Sequence, residues 1–164
     1  MSANIRTIAA AEGTEHENTT TEGSLATFAF AAGSLTPGKI YAFDGLCVVN
    51  DNNAADTLTL LVRFGSSATV GSNTAVITSA AVDSADGDLG HVCGTIHCMS
   101  ETRIVVTAQI QGPDANGTTA VYAGGAVITI AQDTAYRLDF AADWSGANAD
   151  DECAAASWVV YEIA

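Results

Sequence analysis

The segment Thr57-Leu-Thr-Leu-Leu-Val-Arg-Phe64 alternates residue by residue. Leu58, Leu60, Val62 and Phe64 form one set; Thr57, Thr59, Leu61 and Arg63 form the other. A period of two puts the two sets on opposite sides of a pleated strand. The same period recurs on either side. Ile104, Val106, Ala108 and Ile110 alternate with Arg103, Val105, Thr107 and Gln109. Tyr136, Leu138 and Phe140 alternate with Arg137, Asp139 and Ala141. Upstream, Tyr41, Phe43, Cys47 and Val49 share a face, as do Phe28 and Phe30. At the end of the chain, Trp158 and Val160 face away from Val159, Tyr161 and Ile163. No window carries an apolar stripe at helical spacing.

Turn-forming clusters separate these runs: Gly33-Ser34, Pro37-Gly38, Asn50–Asn53, Ser84–Asp88, Gly112–Gly117 and Ser145–Asp151. About nine strands fit at the spacing of a sandwich. Short connections favour antiparallel pairing, because parallel pairing needs long crossovers. The immunoglobulin order of Cys, Trp, Cys is missing, since Trp144 and Trp158 both come late. The expectation is an all-β protein: an antiparallel jelly-roll-like β-sandwich over residues 23–164. It would be preceded by an extended N-terminal arm, residues 1–22. The arm is acidic and Thr-rich around one apolar patch, Ile5 to Ala11. It reads either as a frayed terminus or as a segment that orders against a neighbour.

The chain has 164 residues, five Lys+Arg against nineteen Asp+Glu, and a formal net charge of −14. That length suits one domain with a sizeable core. The charge opposes nucleic acid, whose binding rests on neutralising phosphates, and opposes anionic membranes equally. No stretch is long and apolar enough to span a bilayer. The first residues lack the apolar core of a secretory signal, so synthesis in a reducing cytosol is expected. Cys47, Cys93, Cys98 and Cys153 then read as free thiols.

Several motifs invite a chemical reading. Gly33-Ser-Leu-Thr-Pro-Gly38-Lys39 resembles a phosphate-binding loop, but Ile40 stands where the magnesium-binding hydroxyl belongs, and a strand pattern follows. His91, Cys93, His97 and Cys98 suggest a metal cluster. On a straight strand, however, His91 and His97 are about 20 Å apart, too far for one ion unless Gly94 turns a hairpin. Asp83, Asp86 and Asp88 surround a glycine turn and form a weak calcium candidate; Asp143, Asp150, Asp151 and Glu152 make a similar acidic loop. No nucleophile elbow is present, and no catalytic residue is assigned. Trp144 and Trp158 fall in strand patterns and read as core. Expected cofactors are none, calcium aside.

Three segments together carry a resemblance: Lys39–Gly65, with its Asp-Thr-Leu-Thr strand ending in Arg-Phe-Gly; Val82–Asp88; and Phe140–Glu152 leading into a last apolar strand. They resemble small β-sandwich virion structural proteins of aquatic tailed bacteriophages, over most of the chain after Gly23. The resemblance implies a capsid decoration or cement protein. Its partners would be the major capsid protein and its own copies as a homotrimer. It would be made in the bacterial cytoplasm and sit on the capsid surface of the virion. Ile5, Arg6 and Ile8 of the arm are the expected contacts with the capsid or a neighbouring subunit. The alternative is a receptor- or glycan-binding module of a tail or head fibre.

Overall fold

A computed structural model describes residues 15–50, 56–83, 87–113 and 119–163. Ten strands follow one another: β1 (His16–Glu17), β2 (Gly23–Phe30), β3 (Ile40–Asn50), β4 (Leu58–Gly65), β5 (Thr74–Thr78), β6 (Leu89–Ser100), β7 (Arg103–Pro113), β8 (Thr119–Thr129), β9 (Tyr136–Trp144) and β10 (Glu152–Glu162). Among the described residues the sole helical turn is the 3-10 turn Val70–Ser72. The strands form two antiparallel sheets. The larger runs β1-β10-β3-β6-β7-β8 and the smaller β2-β9-β4-β5. The chain passes from sheet to sheet at β1–β2, β2–β3, β3–β4, β5–β6, β8–β9 and β9–β10. As a result β3 pairs with β10 in one layer while β4 pairs with β9 in the other. This nesting is the jelly-roll-like sandwich that the alternation predicts.

The alternating sets meet between the layers. Val62, Phe64, Leu138 and Phe140 from the smaller sheet face Phe43, Val92, Ile96, Val106 and Trp158 from the larger, all buried. Aromatic rings tie the layers together. Phe140 stacks on Trp158 at 6.1 Å between centroids, and Phe30 meets Tyr41 edge-on at 5.2 Å. Trp144 and Trp158 are both core, as read from their strand positions. The Pro37-Gly38 segment is a turn with Gly38 at φ +87°, and it opens strand β3 where a phosphate loop would open a helix.

Residues 15–22 pack on the body of the sandwich. His16 pairs with Cys153 across β1 and β10, and its carbonyl accepts the buried Trp144 indole N–H at 3.1 Å. Glu22 grips Arg63 through both carboxylate oxygens, at 2.5 Å each. The Arg63 guanidinium also reaches the Asn73 carbonyl at 2.8 Å. Beside it, Asp139 is fully buried and accepts Arg137 Nε at 2.8 Å, Ser24 at 3.0 Å and Thr27 at 2.6 Å. Residues 66–73 fold over this face, with Val70 packed on Leu61 and Ala141. The outer side of the smaller sheet is therefore a closed ionic layer.

Two outcomes are expected from this layer. Arg137→Met leaves the buried Asp139 carboxylate without its cation. It should destabilise the protein by about 3 kcal/mol in urea denaturation, the cost of an orphaned buried charge. Burial holds the His16 imidazole below its usual range, against the opposing pull of Asp143 and Glu22. The unfolded chain then takes up a proton that the folded protein resists, so stability is complete above about pH 6.5 and falls as pH drops below it. His16→Phe should flatten that slope between about pH 6.5 and 5.5, the interval in which an ordinary imidazole titrates.

Candidate interaction surface

The outer side of the larger sheet is built differently. Its outward positions are Asp44, Leu46 and Val48 on β3, and His91, Cys93, Thr95, His97 and Met99 on β6. On β7 they are Val105, Thr107 and Gln109; on β8, Val121, Ala123 and Val127. Across these four strands the outer face carries one acid, Asp44, and one base, Arg103. Asp44 is paired with His91 Nε2 at 2.9 Å. Among the described residues, the exposed large apolar side chains are Leu46, Leu89, Met99, Val121, Val127 and Ile163. All six belong to the larger sheet or its immediate end. Scattered exposed apolar residues are ordinary; their concentration on one face of so acidic a chain is not.

The sheets part at the flank between β2 and β10. A cleft of about 240 Å³ opens there, floored by Phe28, Phe30, Tyr41 and Val160. Lys39 and Glu162 close its rim with a 3.1 Å ion pair. That hydrogen bond to Glu162 holds the Lys39 ammonium above its ordinary range, and burial pushes the Tyr41 phenol up. β1 covers the lower part of the same flank.

The motifs singled out in the sequence fall as follows. β6 runs straight through Gly94, where an added Cβ would collide with the Thr107 carbonyl and the Phe43 ring. His91 and His97 therefore stay six positions apart on one strand. Cys93 lies half-exposed beside them, and Cys98 is buried. Cys47 and Cys153 are buried thiols on neighbouring strands; a hydrogen bond between them, with burial, holds Cys153 well above the thiol range. Asp83 is exposed after the Leu58–Val82 bridge, and the Asp88 carbonyl accepts Val49 N–H at 2.9 Å. Asp86 lies outside the described residues, as do Ile5, Arg6 and Ile8. Asp143 joins the ionic layer near His16, while Asp151 is buried and Glu152 accepts Asn50 Nδ2 at 3.2 Å. Among the described residues, no group of three or more His, Cys, Asp or Glu side chains is placed to hold a metal ion.

The sequence could not show the apolar outer face, because none of its strands contributes more than two exposed large apolar residues. The signal lay in where acids were missing, and it becomes visible only when the strand order is known.

Comparison with protein-family models and with curated proteins finds no match. Among solved structures, the chain is similar to the lectin UEA-II complexed with galactose, at 11% identity and a TM-score of 0.45, over 98% of this chain and 93% of the lectin. It is also similar to a structure of infectious bursal disease virus Gt strain (17% identity, TM-score 0.36), over 98% of this chain and 33% of that one. The VP2 subviral particle of infectious bursal disease virus matches at 16% identity and a TM-score of 0.34, over 99% of this chain and 34% of that one.

Proposed function

We propose that this protein is a non-enzymatic virion structural protein, a capsid decoration or cement protein of a phage head. It seats the outer face of its larger sheet on the major capsid protein and so stabilises the shell. The observation that carries this reading is the gathering of five of the six described exposed large apolar side chains on β3, β6 and β8 of the sheet whose outer face holds one acid across β3, β6, β7 and β8. Interface cores are depleted of charge because each buried carboxylate must be stripped of water. A chain of net charge −14 meets that requirement only if its acids are kept off one face. The remaining acidic surface keeps unassembled copies apart and soluble.

Residues 1–14 are a second contact in this reading, with Ile5, Arg6 and Ile8 as its apolar and basic elements. The packing of His16 and Glu22 moves the boundary of any removable arm. A deletion ending at residue 14 leaves β1 and the Arg63 pair in place, whereas one ending at residue 22 strips both. A tail- or head-fibre module that binds a glycan is the second reading, favoured by the aromatic floor and ionic rim of the β2–β10 cleft.

The test is binding of purified protein to particles stripped of it, alongside its copy number in particles relative to the major capsid protein. A copy number comparable to the capsid protein is expected. Met99→Glu should weaken attachment at least tenfold without changing the melting temperature, since the side chain is 55% exposed and the cost is a carboxylate buried at the interface. A copy number far below the capsid protein, with unchanged binding by Met99→Glu, would replace decoration with the fibre reading. Absence from particles would discard both.

A further inference from the structure

The end strand of the larger sheet, β8, is Thr119-Ala-Val-Tyr-Ala-Gly124-Gly-Ala-Val-Ile-Thr129. β7 pairs with one side of it along all eleven residues, from Arg103 opposite Thr129 to Pro113 opposite Thr119. Among the described residues no strand lies on its other side. A long exposed edge is normally blunted by a charge, a proline, a bulge or a covering loop, because its N–H and C=O groups template the addition of another strand. β8 contains no charge and no proline, and its pairing with β7 runs without a bulge. The strand beneath it, β5 (Thr74-Ala-Val-Ile-Thr78), ends the smaller sheet on the same flank and is also uncharged. The opposite flank carries Glu15, Glu17, Glu152 and Glu162. Among the described residues, the β8 side is the flank left without charge or covering strand.

The sequence of β8 is also self-complementary. In an antiparallel pair related by a two-fold axis at Gly124, Thr119 meets Thr129, Val121 meets Val127 and Ala123 meets Gly125. These pairs lie on the outer face. On the inner face Ala120 meets Ile128 and Tyr122 meets Ala126. Val121 and Val127 are 53% and 69% exposed in the single chain, and the pairing covers each with the other. Directly opposed β-branched and Thr–Thr pairs are favourable cross-strand contacts. Eleven paired residues supply about ten backbone hydrogen bonds, the number found in an ordinary protein interface.

We propose that β8 is a self-association edge: it pairs antiparallel with β8 of a second copy about a two-fold axis at Gly124, joining two larger sheets into one. This replaces the homotrimer expected from the phage-protein resemblance with a dimer, and it stands independently of whether the protein decorates a capsid.

The experiment is sedimentation equilibrium of the full-length protein over a concentration series, with no particles present. A species of twice the 16.7 kDa chain mass is expected. Val121→Lys combined with Val127→Lys sets like charges opposite one another twice and should give a monomer with an unchanged circular dichroism spectrum. Val121→Glu combined with Val127→Lys sets unlike charges opposite one another twice and should restore the dimer. That rescue depends on the register, which a general loss of folding or a different interface would not reproduce. A monomer at every concentration, a trimer, or a dimer unaffected by the double-lysine variant would overturn the proposal. Each of these results leaves particle binding, measured separately, to decide the decoration reading.

Discussion

Nineteen carboxylates and five cations have to be arranged around a two-layer apolar core, and the rest of the molecule follows from where they go. Three of the four described cations go to the smaller sheet and its flank, and the fourth, Arg103, lies on β7. Arg63 takes Glu22, Arg137 takes the buried Asp139, and Lys39 takes Glu162. Arg63 and Arg137 lock residues 15–22 and the loop 66–73 onto one side of the sandwich. A buried carboxylate such as Asp139 is tolerable only with its cation and hydroxyl donors all in place. That requirement fixes β2, β9 and the covering loop relative to one another. Most of the other acids collect in turns and at strand ends, so the broad face of the larger sheet is left with Asp44, which His91 accompanies.

The core asks for less. Alternation alone delivers β4, β7 and β9 with the correct residues inward, because each has a largely polar or charged outer set against which the apolar set stands out; in β10 it is Trp158 and Val160 that mark the inward set. Trp144 and Trp158 follow from the same arithmetic. β8 is a different case. Its outer positions are Val121, Ala123 and Val127, hardly more polar than its inner ones, so no period of two emerges from Thr119–Thr129. The strand is hidden in the sequence by the same lack of outward polarity that leaves its edge unguarded. β5 is hidden by its five-residue length.

The N-terminal boundary was illegible for another reason. β1 is two residues long, and no local propensity holds it. It exists because Cys153 offers a pairing partner, Trp144 needs an acceptor, and Arg63 needs a carboxylate 41 positions away in sequence. None of these is a local signal, so the acidic end of the segment read as an N-terminal arm, residues 15–22, packs on the folded body. The apolar outer face was equally out of reach. It is a property of strand order: β3, β6, β7 and β8 become neighbours only once the nested crossovers are known.

The proposed edge pairing and the proposed face attachment would reinforce each other geometrically. A two-fold axis that joins β8 to β8 within one sheet leaves the outer faces of both copies pointing the same way. A face-to-face dimer would hide them against each other. Two six-stranded sheets joined at β8 make a twelve-stranded surface on which Leu46 and Met99 of each copy stay available. Binding of one copy to a repeating shell would then bring the second face over a neighbouring site at high effective concentration. Two weak contacts of this kind hold far better than either alone. A face with few charges and only modest apolar content, too weak for tight attachment by itself, would become sufficient for the proposed attachment when presented in pairs.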